Sequence, residues 1–160
     1  MQAQADYTPA MEKMSLSSAL KVITTYNGAI ASAYKDWARR LPPGPISTLA
    51  ASMAEQRQDL GRLLTEISAD RSLPEVEVDF DIDLGALRGF DSLATTVVEP
   101  RELLAKMAEA EAVDHEFLAA LAGAVVAVST STAENLAVAA DSARKRSTWA
   151  REHLELLGLS

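Results

Sequence analysis

The chain has 160 residues, with 23 acidic against 15 basic side chains (formal net charge −8), a hydrophobic content of 48% and no cysteine. A chain of this length makes one domain with a real core, and the missing thiols exclude disulfides, thiolate metal sites and cysteine nucleophiles. The acidic surplus opposes contact with nucleic acid or anionic membranes, because the basic clusters Arg39-Arg40 and Arg144-Lys145-Arg146 are short and separated.

The N-terminal MQAQADYTPAMEKM lacks a basic start followed by an apolar run, so it does not read as a secretory signal. No apolar stretch approaches the roughly 20 residues of a membrane span, and the expected location is cytoplasmic. Residues 1–14 read as a flexible N-terminal segment ahead of a single helical domain, 15–160. The first helix is expected from Ser15 to Leu41. At helical spacing Leu16, Leu20, Ile23, Asn27, Ile30, Tyr34, Trp37 and Leu41 form one stripe, apolar or aromatic throughout except for Asn27. The helix must stop at PPGP, where Pro42 and Pro43 cannot continue it, and Gly44-Pro45 suits the start of the next. Helix two carries Ile46, Leu49, Met53, Gln56, Leu60, Leu63 and Ile67 inward. The short connection predicts an antiparallel hairpin.

A crossover over about 72–99 follows. A structureless loop of that length would be unusual, but Val76, Val78, Phe80, Ile82 and Leu84 alternate and can pack along the helices. Glu75, Glu77, Asp79, Asp81 and Asp83 occupy the opposite face of such an extended segment; a divalent-cation or basic-partner surface is one reading, and a solvated acidic edge that discourages edge-to-edge aggregation is the favoured one. DFDID resembles the start of a calcium-binding loop, but Leu84 stands where its glycine belongs and Phe90 where its last glutamate belongs.

Helix three begins near Glu99-Pro100 and turns Leu104, Met107, Glu111, Asp114, Leu118, Leu121 and Val125 inward, flanked by Leu103 and Phe117. After the small-residue turn VSTSTAEN, Ser131 and Glu134 have capping-box spacing. Helix four carries Leu136, Ala139, Ala140, Ala143, Arg146, Ala150, His153, Leu154 and Leu157, and Gly158 is expected to end it. The predicted class is all-α: two helical hairpins joined by one long crossover.

The hairpins also repeat each other. Leu20, Ile23, Asn27, Tyr34 and Trp37 align with Leu104, Met107, Glu111, Leu118 and Leu121; Leu49-Ala50, Met53, Gln56 and Leu64 align with Ala139-Ala140, Ala143, Arg146 and Leu154. In this pattern, over residues 15–157, the chain resembles the ferritin-like superfamily, rubrerythrins in particular. The resemblance implies an antiparallel four-helix bundle with a glutamate seven residues before an aromatic on the first helix of each hairpin. It implies Leu-Ala and then Glu-x-x-His on the second. Here NGAIASAY keeps Tyr34 but has Asn27 for the glutamate, and EAVDHEFL keeps Glu111 with Leu118 for the aromatic. Met53 and Gln56 stand for one Glu-x-x-His pair, Ala143 and Arg146 for the other. Of six ligand positions only Glu111 survives. A shifted frame offers Glu55 with Gln58 and Asp141 with Arg144, off the apolar stripe and without a histidine.

Iron needs carboxylates and imidazoles, so the di-iron chemistry implied by the resemblance is expected to be lost, with no cofactor bound. Asn27, Gln56, Glu111 and Arg146 are expected to form a polar cluster at the vestigial site, Arg146 standing as a fixed cation bonded to Glu111, with Met53 and Ala143 as apolar replacements. Tyr26, Tyr34 and Trp37 read as packing residues. His115, near Glu111 and Asp114, could join an Asp/Glu/His cation site, although one helix supplies few ligands. His153 lies near a helix C-terminus, where the dipole favours a cation. No catalytic serine arrangement, phosphate-binding loop or nucleotide signature is present. The expectation is a non-catalytic bundle that binds an unknown protein partner or self-associates as a homodimer; the alternative is an iron- or manganese-dependent oxidoreductase, or an iron-binding protein, with displaced ligands.

Overall fold

The computed structural model describes residues 12–80 and 99–159. They form a short strand β1 (Glu12–Ser15), helices α1 (Leu16–Arg40) and α2 (Pro45–Ala69), a strand β2 (Glu77–Phe80), and helices α3 (Pro100–Val125) and α4 (Thr130–Leu159). The protein is mostly helical, and none of the described helices is long and apolar enough to cross a membrane.

Local chemistry sets the helix ends. Ser15 caps α1 by accepting the Ser18 N–H at 3.2 Å. At its other end Arg39 and Arg40 pair with Asp36 at 3.1 and 2.9 Å, and these bonds hold the Asp36 carboxyl below its usual range. Gly44 precedes α2 with Pro45 in its first turn, and Ser47 Oγ accepts the Gly44 N–H at 3.1 Å. The α4 start differs from the expected cap. Ser129, not Ser131, receives the Thr132 N–H at 3.2 Å, while Ser131 and Glu134 are exposed. Gly158 does not end α4, which continues through it to Leu159.

A two-stranded ribbon modifies an all-helical description. β1 pairs antiparallel with β2, Glu12 opposite Phe80 and Ser15 opposite Glu77, so residues 12–14 are strand rather than the end of a flexible segment. Helix α1 is tied to the same ribbon, since the Leu16 N–H donates to the Val76 carbonyl at 2.8 Å. Val78 is fully buried between exposed Glu77 and Asp79, the alternation expected of a strand with one face on the core. Glu75 has a specific role: its two oxygens accept the Ser17 N–H at 2.8 Å and hydroxyl at 3.0 Å, at the positive end of α1. Asp81, Ile82, Asp83, Leu84 and Phe90, with the calcium-loop reading, lie outside the described residues.

α1 packs on α2 and α3 on α4, and the two pairs face each other across the interior. That interior is divided. One apolar cluster gathers Leu20, Ile23, Leu64, Phe117, Leu121 and Leu136 with Val78 at its end. The other gathers Ile30, Trp37, Met53, Leu104, Met107 and Ala150. Between them on all four helices lie Asn27, Arg57, Glu111, Asp114 and Arg146, buried and polar.

Candidate functional site

Glu111 is the hub of this layer. Its side chain is fully buried, and its Oε2 accepts three hydrogen bonds: Tyr34 Oη at 2.6 Å, Arg57 Nε at 3.0 Å and Arg57 Nη2 at 2.8 Å. Its Oε1 accepts Arg146 Nε at 2.7 Å. Both carboxylate oxygens are therefore held by guanidinium groups, one from α2 and one from α4. A buried carboxylate with four donors, three of them charged, is a satisfied anion.

Arg57 is equally saturated. Its Nη1 reaches Asp114 Oδ2 at 2.9 Å and Asn27 Oδ1 at 3.2 Å, and its guanidinium carbon lies 5.9 Å from the centre of the Tyr34 ring. Asn27 returns the contact: its Nδ2 donates to the Arg57 carbonyl at 2.8 Å, so the amide bridges both ends of one residue. This approach is close. A Cβ on Gly61 would lie 3.3 Å from that Nδ2, so the missing side chain leaves room for the amide. Asn27 on the apolar stripe of α1 is thus explained by a donor and an acceptor that it serves on α2.

Arg146 is less completely engaged. Beyond its bond to Glu111, its Nη1 meets Gln56 Oε1 at 3.3 Å. Its Nη2 has no hydrogen-bond acceptor among the described residues; Asp114 Oδ2 stands 3.9 Å away. Asp114 Oδ1 likewise has no donor among them.

These contacts set the charge states. Burial alone would raise the Glu111 pKa, but Arg57 and Arg146 and the Tyr34 hydroxyl together bring it below the ordinary value. Asp114 moves the other way: burial raises it, outweighing Arg57, and the Glu111 charge adds to the rise. Burial opposes the charge on Arg57, yet Asp114 and Glu111 drive its pKa above the ordinary value. Burial and the Glu111 charge push Tyr34 well up, so its phenol stays protonated and donates. With both Glu111 oxygens occupied and its basicity reduced, the layer holds charge in place rather than offering a base for proton transfer.

The structure brings Asn27, Gln56, Glu111 and Arg146 into one network, with Met53 and Ala143 fully buried beside it. It adds Arg57 and Asp114, and it gives Tyr34 a polar role beyond packing. Arg57 is the residue that the sequence reading missed. Two inward carboxylates on α3 with a single assigned cation were the available signal, since a buried pair of acids needs more than one counterion. His115 stays outside the layer, its Nδ1 on the Ala140 carbonyl at 2.8 Å, and His153 Nδ1 meets the Trp149 carbonyl at 2.8 Å. Among the described residues no three His, Asp or Glu side chains are placed to hold a metal ion.

The donor set also fails a chemical test for paired iron. Met53 and Ala143 offer no carboxylate, Asn27 and Gln56 only neutral amides, and two guanidiniums take up the one hub carboxylate. In comparisons with known proteins, no family model, no curated protein and no solved structure matches the chain.

Proposed function

We propose that the chain is a ferritin-like four-helix bundle without di-iron chemistry, a non-catalytic protein that acts through self-association or a protein partner. One observation carries this reading: Glu111, the surviving carboxylate of the ligand pattern, has both oxygens bound by Arg57 and Arg146. Two fixed cations on α2 and α4 do electrostatically what a metal would do, neutralising buried carboxylates between facing helices, and they repel an incoming ion. The two long hairpins joined by a crossover fit the same reading.

Self-association has a surface to use. On α4, Trp149 (39% exposed) and Leu156 (63%) stand two turns apart on one face, with Lys145 and Glu152 along the same face. An antiparallel second copy sets Lys145 of each chain near Glu152 of the other around a central Trp149, a self-complementary C2 arrangement. Two measurements test the proposal. Protein purified without chelator and then reconstituted with Fe(II) or Mn(II) is expected to carry neither metal; near-stoichiometric metal overturns the loss of the site and favours the oxidoreductase or iron-binding reading. Sedimentation is expected to show a dimer that Trp149→Glu dissociates; a wild-type monomer at all concentrations overturns self-association.

A further inference from the structure

The two arginines of the polar layer differ in what they have left to give. Arg57 spends Nε, Nη1 and Nη2 on Glu111, Asp114 and Asn27. Arg146 spends Nε on Glu111, keeps one long contact from Nη1 to Gln56, and has no acceptor for Nη2 among the described residues, although it is 2% exposed. A buried guanidinium nitrogen without an acceptor is costly. The unspent part is its two-nitrogen end, the fork that matches a carboxylate.

Arg146 and Gln56 also line a cleft of about 330 Å³ between α2 and α4. Its apolar lining comes from Leu60, Leu63, Val138 and Ala139, and Asn135 and Ser142 add polar groups to the walls. Val138, at 67% the most exposed of the large hydrophobics on α4, is thereby left open where a ligand's apolar part would cover it. Asp59 also lines the cleft, but it is paired with Arg62. Gln56 at this cleft is half-buried and makes long contacts, 3.3 Å to Arg146 and 3.4 Å to Ser52.

We propose that this cleft binds a small organic acid, its carboxylate displacing the Gln56 amide to bond Nη1 and Nη2 of Arg146 and its hydrocarbon part lying between Leu60, Leu63, Val138 and Ala139. The chemistry selects one negative charge on an apolar body. A lone guanidinium gives one bidentate clamp, and the surrounding aliphatic surface rejects a compact, heavily hydrated polyanion. The site does not depend on the ferritin-like reading or on dimerisation, so its failure would leave both standing.

Calorimetric titration with hexanoate, and with hexanamide and acetate as comparison probes, tests the inference. Saturable one-to-one binding of hexanoate is expected, about tenfold or more tighter than that of the neutral amide or the short acid. Arg146→Lys keeps a charge without the fork and is expected to weaken hexanoate by a similar factor. Ser142→Phe, at a half-buried lining position one turn from Arg146, fills the cleft and is expected to abolish binding in a chain with wild-type circular dichroism. Absence of hexanoate binding overturns the proposal, as does equal binding of hexanamide or hexanoate binding unchanged by Ser142→Phe.

Discussion

Arg57 and Glu111 lie 54 positions apart in the chain, and two guanidinium nitrogens of one bind a single carboxylate oxygen of the other, at 3.0 and 2.8 Å, with neither side chain exposed. Removing one member of a buried pair strands the other charge, which costs about 3–5 kcal/mol. Arg57→Met strands Asp114 as well, so its loss is expected at that level. Arg146→Met leaves Glu111 held by Arg57 and Tyr34 and removes one short bond, a loss of about 1.5–3 kcal/mol expected for a hydrogen bond to a charged group. Urea denaturation of the two variants gives the ranking. A larger loss for Arg146→Met would make Arg146, not Arg57, the principal counterion.

Tyr34 contributes through its hydroxyl. The 2.6 Å bond to Glu111 Oε2 is charge-assisted and buried. Tyr34→Phe keeps the ring and its contact with Trp37, whose centroid is 5.7 Å away, so the change isolates the hydrogen bond. A loss of about 1.5–3 kcal/mol is expected in the same denaturation measurement. A loss below about 0.5 kcal/mol would mean that the guanidiniums alone satisfy the carboxylate.

The helices were legible because their signals are redundant. Every position of the α1 stripe from Leu16 to Leu41 is buried, and the prolines at 42, 43, 45 and 100 mark boundaries that backbone chemistry enforces. On α2 two stripes compete. The stripe through Met53, Gln56, Leu60 and Leu63 and the one through Met53, Arg57, Leu60 and Leu64 share half their members, and each offers one polar residue and one leucine where they differ. Periodicity cannot choose between them; the counterions needed by Glu111 and Asp114 on another helix do. That is a tertiary constraint with no local trace, and it turned Arg57 inward with Gln56 half-buried. The β1–β2 ribbon was half visible for a related reason. The alternation in β2 lies in the sequence, but its partner strand is short and polar, and pairing alone defines it.

The start of α4 separates two similar serines. Ser129 Oγ accepts the Thr132 N–H and contacts the Thr132 hydroxyl at 2.9 Å, whereas exposed Ser131 lies inside the helix. Ser129→Ala is expected to cost about 1 kcal/mol, and Ser131→Ala to be neutral or slightly stabilising, because alanine suits a helix interior better than serine. Thermal melts of the two variants check this; equal effects would place the helix start differently.

The two acids of the layer carry opposite pH signatures. Glu111 has its folded pKa lowered, so its contribution is present above the unfolded pKa, near 4 to within about a unit, and is lost as pH falls through the folded value. Asp114 has its folded pKa raised, by burial first, and the charged groups facing it are Arg57 from α2, Arg146 from α4 and Glu111 on its own helix. Its contribution is full below the unfolded pKa and declines as pH rises through the folded one. Asp114→Asn keeps an oxygen for Arg57 Nη1 and removes the titration. The melting temperature of Asp114→Asn relative to wild type is therefore expected to rise between about pH 4 and pH 7, whatever its absolute offset, while Glu111→Gln shows its largest deficit at neutral pH and a smaller one in acid. Melts across that range decide it. A constant offset for Asp114→Asn would mean that Asp114 is ionised as readily in the folded chain as in the unfolded one, and that the two arginines fully compensate its burial.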